Sequence, residues 1–174
     1  RRAVLNGLDV EARLHLALAA NYAGIGFGNA GVHIPHACGY AIAALVREYR
    51  PAGYAADEAL VPHGQSVSLT APASFRFTFA TSPERHLRAA SLLGAGGPTA
   101  AGDGADIDRL PGVLVSLMRD IDIPRGVGAV GYGEGDVSDL VEVALVQQRL
   151  LQVAPGPVTG DHLAAIFRDS LANW

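Results

Sequence analysis

The chain has 174 residues, of which 49% are hydrophobic, 17% charged and 6% aromatic. That length suits one domain with its own core, and the excess of apolar over charged residues excludes a disordered chain. The net charge of −4 offers nothing to a nucleic-acid backbone. The single cysteine, Cys38, excludes an internal disulfide framework and points to a reducing compartment, so a cytoplasmic location is expected. All 13 basic residues are Arg, which reads as genome bias.

The chain opens on Arg1-Arg2 without a Met, and no apolar stretch follows at once, so the Arg pair is not a signal peptide. The missing Met reads either as trimming or as the start of a piece of something longer. Asp9 is placed to cap a first long helix. From Leu14 to Val46 there is no Asp, Glu, Lys or Arg. That run is long enough to cross a bilayer, but Asn21, Asn29, His33, Pro35 and His36 would be costly in hydrocarbon. It is expected instead as a pair of helices through the middle of a soluble bundle, with Gly and Ala letting backbones approach. Ala59 to Phe75 is a second uncharged stretch.

Ser82-Pro83-Glu84 supplies an N-cap, a Pro at the first helical position and an acid in the first turn. The glycine-rich stretch 94–104 reads as a loop, as does 122–135. Between them Leu110, Val113, Leu114, Leu117, Met118 and Ile121 recur at the spacing of one helix face. Asp136 can cap a helix running to about Val153. Leu163, Ile166, Phe167, Leu171 and Trp174 repeat the pattern behind Thr159 or Asp161. No alternating run of strand length stands out, so the fold class is an all-α helical bundle.

His33, His36 and His63 lie in the two uncharged stretches, while His15, His86 and His162 sit among charged residues and read as solvated. A buried imidazole needs partners for its nitrogens. Satisfied core histidines and a metal site both answer that need, since neutral imidazole is a common ligand of Zn and Fe. The string Gly-x-Gly-x-x-Gly occurs at Gly26–Gly31 and Gly126–Gly131, but neither has the strand-then-helix setting of a dinucleotide loop. Both read as turns and close contacts. Asp103, Asp106 and Asp108 lack the spacing of a calcium loop and read as caps, Glu11 with His15 reads as a surface pair, and Cys38 as a small buried side chain.

The segment from Ala23 to His36, followed by Leu60-Val61-Pro62-His63-Gly64, resembles the C-terminal helical domain of iron-containing alcohol dehydrogenases, which share the dehydroquinate synthase-like fold. Within that family it looks most like the hydroxyacid-oxoacid transhydrogenase branch, with similarity from Asp9 to the C-terminus. The resemblance implies a metal, Fe²⁺ or Zn²⁺, in a cleft between this domain and a nucleotide-binding domain that carries NAD(P). It identifies His36 and His63 as metal ligands and Tyr40, where many members have a further histidine, as the group facing nicotinamide or substrate. It leaves His33 as a branch residue rather than a ligand.

The family's other ligands come from an Asp-x-x-x-His turn, and no such string occurs here. The chain therefore reads as a single helical metal-binding domain, 1–174, without the nucleotide-binding domain, and incomplete as an enzyme by itself. The resemblance further implies hydride transfer between an alcohol or hydroxy acid and an aldehyde or oxo acid, with a homo-oligomer and the nucleotide-binding domain, in cis or in trans, as partners. Such acids call for a cation, and Arg47 and Arg50 follow the uncharged stretch. The alternative is a non-catalytic helical assembly module derived from the same family, with neither metal nor nicotinamide.

Overall fold

Every regular element among the described residues, which are 1–55, 57–95 and 104–174 of a computed structural model, is helical. In chain order these are α1 (Arg2–Leu5), α2 (Val10–Ala30), α3 (Ile34–Ala44), α4 (His63–Thr78), α5 (Pro83–Leu92), α6 (Arg109–Asp120), α7 (Val137–Leu145), α8 (Gln148–Leu151) and α9 (Gly160–Asp169). Short 3₁₀ turns occupy Phe79–Thr81, Gly104–Asp108, Val127–Val130 and Glu134–Asp136. The expected all-α class is the one observed, and no helix among the described residues is long and apolar enough to cross a membrane.

Local signals set several boundaries. The Asp9 carboxylate accepts from the Ala12 amide at 3.0 Å and caps α2. Thr159 accepts from the His162 amide at 3.3 Å and caps α9. At the far end of α2, Gly31 sits at φ 77, a left-handed turn that suits glycine and reverses the chain into α3. Pro35 then falls in the first turn of α3, where a missing N–H costs nothing.

The core forms where α3 and α4 lie against each other, with α6, α7 and α9 packed around them. Ile34, Cys38 and Ile42 of α3, Leu69 of α4, Leu140 of α7 and Phe167 of α9 are fully buried. Pro72 lies inside α4, where the ring removes an amide donor and crowds the preceding turn. Asn173 Nδ2 donates to the neighbouring Leu69 carbonyl at 2.9 Å, and the Asn173 amide donates to the Arg125 carbonyl at 2.8 Å. The C-terminal residues thus brace the proline-bearing helix.

The segment 122–135 is a loop in which two 3₁₀ turns form. A Cβ on Gly126 would stand 2.5 Å from the Leu171 carbonyl oxygen, and the Val127 amide donates to the Ser170 carbonyl at 2.8 Å. The second Gly-x-Gly-x-x-Gly string is a backbone contact with the chain after α9. Tyr132 continues the anchoring: its hydroxyl donates to the Ile42 carbonyl at 2.6 Å, and burial pushes its pKa up to about 12. Arg47 stacks 5.4 Å above the Tyr132 ring and pairs with Asp136 at 2.7 Å.

Several expectations need correction. Helix α2 does not run through the middle of the bundle: Ala12 is its one buried residue, and Leu14, Tyr22, Ile25 and Phe27 stand more than half exposed. The α3 half of the uncharged stretch is the buried half. The helix expected from Asp136 to Val153 breaks after Leu145, where Gln148 Nε2 donates to the freed Leu145 carbonyl at 2.7 Å. Asp136 caps no helix with its side chain, because Arg47 and the Gly133 amide occupy it. Asp108 is held by Arg76, and Leu171 and Trp174 lie beyond the end of α9. Asp103 and most of the 94–104 loop lie outside the described residues.

Helices α3 and α4 meet at Gly39. A Cβ there would lie 3.0 Å from Val67 Cγ2 and 3.2 Å from the Val67 amide nitrogen, so the helices approach as far as a missing side chain allows. Gly39→Leu is expected to destabilise the fold by at least about 2 kcal/mol through overpacking. Ala43→Leu, on the exposed side of the same helix, is expected to change stability little. Urea unfolding midpoints of the two variants check this.

Candidate metal and substrate site

Gly39 and Tyr40 lie three and four residues after His36 on α3, as Ser66 and Val67 lie after His63 on α4. Each trio shares a helix face, and the close approach at Gly39 sets the two faces together. The His36 and His63 ring centres are 5.4 Å apart at 57°, and the Tyr40 ring lies 5.9 Å from His63. The structure therefore brings together all three residues that the sequence singles out. His36 is half-buried, His63 is exposed, and Tyr40 is 42% exposed. Burial, with His63 beside it, lowers the His36 pKa and favours the neutral ring that a metal requires. Among the described residues no hydrogen bond engages any of these three side chains.

Two imidazoles make half of a typical catalytic metal site, which takes three protein ligands and keeps one position open. Among the described residues no group of three or more His, Cys, Asp or Glu converges. Two imidazoles are donors of the kind that Fe²⁺ and Zn²⁺ take.

The other candidates separate cleanly. Glu11 is exposed and pairs with Arg2 at 2.7 Å, so Glu11 and His15 remain surface residues. Cys38 is buried within α3, and burial pushes its thiol up to about 12, far from a nucleophile's range. Arg47 is taken up by Asp136, and Arg50 donates to the Asp57 carbonyl.

His86 was expected to be solvated and is not. Its Nδ1 donates to the Ser82 carbonyl at 2.8 Å, and its Nε2 lies 2.9 Å from the Thr78 hydroxyl, which donates to the Ser74 carbonyl at 3.1 Å. Phe75 and Phe79 stack edgewise on it, with ring centres 5.8 and 5.7 Å away. The four-residue spacing of those two phenylalanines was the available signal. His162 is likewise partly covered, with its ring 4.8 Å from Phe77.

His33 differs from all of these. It is half-buried, its ring stands edge-on to Phe75 at 6.2 Å, and its Nδ1 is buried without a hydrogen-bond partner.

The family model for the C-terminal part of the Fe-containing alcohol dehydrogenase family matches residues 1–171, and the chain belongs to that family. It is 46% identical over 171 residues to the mitochondrial hydroxyacid-oxoacid transhydrogenase of Pongo abelii, a match covering 98% of this chain and 36% of that protein. A probable mitochondrial hydroxyacid-oxoacid transhydrogenase of Dictyostelium discoideum is 44% identical over 174 residues, covering 99% of this chain and 32% of its own length. Among solved structures, a 1,3-propanediol oxidoreductase superposes with a TM-score of 0.82 at 25% identity, covering 97% of this chain and 40% of that one. The chain thus spans about a third of the length of these curated relatives.

The relatives' mitochondrial location overturns the cytoplasmic one expected from the sequence. A lone cysteine rules out an internal disulfide in any compartment, and so it could not choose between them.

Proposed function

We propose that this chain is the helical, metal-bearing part of a hydroxyacid-oxoacid transhydrogenase or closely related alcohol dehydrogenase. It would form one domain, 1–174, beside a nucleotide-binding domain that carries NAD(P). The observation that carries this reading is the pair of His36 and His63 rings, 5.4 Å apart and free of hydrogen bonds among the described residues. Two imidazoles held side by side, with no hydrogen bond to the rest of the described chain, leave their ring nitrogens available to a metal.

In this reading His36 and His63 are two of the metal ligands. A bound Fe²⁺ or Zn²⁺ supplies Lewis acidity toward the substrate oxygen. His36 is kept neutral by burial and presents a lone pair, while Gly39 holds the two helices at the spacing that lets both rings reach one point. Tyr40 stands beside His63 with its hydroxyl uncommitted, placed to donate a hydrogen bond to the substrate oxygen or the nicotinamide amide. A nicotinamide carried by the nucleotide-binding domain would supply the hydride chemistry that interconverts an alcohol or hydroxy acid with an aldehyde or oxo acid.

Helix α2 belongs to the same proposal. A helix that is apolar on every side is a buried helix, yet α2 is exposed along nearly its whole length. The nucleotide-binding part of the enzyme, in cis or in trans, is the cover that this reading assigns to it.

Two experiments test the proposal. In the protein encoded by the native gene, His36→Ala and His63→Ala are each expected to lower metal content after dialysis by at least about tenfold, the scale on which even indirect ligand supports act. Metal content equal to wild type in both variants contradicts the assignment. The 174-residue chain produced alone is expected to self-associate and to bind an apolar dye through α2. A monodisperse monomer without dye binding argues against a covered α2.

A further inference from the structure

A half-open cavity of about 260 Å³ lies beside His36, between the α2–α3 junction and α4. One wall is Val67, Ala71 and Phe75, which follow His63 at four-residue steps and continue its stripe along α4. The opposite wall is Val32 and Pro35, and only His33 and His36 bring polar side-chain atoms to the lining. The volume matches roughly nine waters of liquid, enough for a short carbon chain.

We infer that this cavity receives the carbon chain of the substrate and that His33 recognises the acidic group at the end remote from the reacting carbon. The inference rests on the function proposed above and names a specificity residue for it. Since Nδ1 of His33 is buried without a partner, a proton placed there would be an orphaned donor. The ring therefore carries its proton on Nε2 and offers one N–H donor from a half-buried ring that lines the cavity.

The two arginines that follow the uncharged stretch are committed elsewhere. Arg47 is paired with Asp136 and Arg50 donates to Asp57, and neither lines this cavity. His86, the other imidazole near Phe75, spends both nitrogens on Ser82 and Thr78. A carboxylate lying along the apolar walls meets the His33 N–H, while its hydroxyl-bearing carbon remains beside His36.

The test compares 4-hydroxybutyrate with 1-butanol, which has the same carbon chain without the carboxylate, in the protein encoded by the native gene. His33→Phe is expected to lower the acid-over-alcohol ratio of kcat/KM by about tenfold or more, mainly by raising KM for the acid, as befits one lost hydrogen bond to a charged acceptor. His33→Gln, which restores an N–H donor of similar reach, is expected to recover most of the ratio. Calorimetric binding of 4-hydroxybutyrate to the wild-type and His33→Phe proteins should show the same loss without turnover. An unchanged ratio together with unchanged binding of the acid overturns the inference, as does a His33→Gln protein no better than His33→Phe. Failure of the metal assignment shows separately, in the metal content of the His36→Ala and His63→Ala proteins, and the calorimetric comparison still decides the role of His33.

Discussion

The contact on which the rest of this structure depends is the approach of α3 to α4 at Gly39. With hydrogen in place of a side chain, α3 settles until its backbone is within van der Waals reach of Val67 and Ser66. That closeness has two consequences at once. It seals a core through Ile34, Cys38 and Ile42 on the inner side of α3. It also sets His36 and Tyr40, three residues before and one after the glycine, against His63 at the start of α4. Stability and site geometry are thus two results of one small-residue contact.

The surrounding elements hold that pair of helices in place. Asn173 supports the turn of α4 that Pro72 disturbs, and Tyr132 pins the end of α3 through the Ile42 carbonyl. Gly126 lets the loop before α7 lie directly on the backbone after α9. Of these, Tyr132 and Asn173 act directly on the helices that carry the histidine pair, one near the end of α3 and the other midway along α4. The bare surface of α2 stands in contrast. Its large apolar side chains stand exposed among the described residues.

Much of this was legible from the sequence where the cause is local. Asp9 and Thr159 cap the helices they precede because a side-chain oxygen within three residues of a free amide needs no tertiary partner. The periodic face of 110–121 emerges as α6 for the same reason. His36, Tyr40 and His63 are singled out by the family resemblance rather than by spacing, and the structure places their rings side by side. What escaped was decided over distance. The apolar pattern runs straight through the break after Leu145, which a side-chain hydrogen bond from Gln148 helps to stabilise. His86 has charged neighbours in sequence and aromatic ones in space. The uncharged run through α2 and α3 reports apolarity but not which helix finds a partner.

In the proposed function one metal ion binds between α3 and α4 through His36 and His63. The most direct measurement is an anomalous difference map at the iron edge from crystals of the native gene's protein grown with Fe²⁺. A single peak is expected about 2.1 Å from a ring nitrogen of each histidine. Iron bound elsewhere, with both imidazoles outside its coordination sphere, would contradict it.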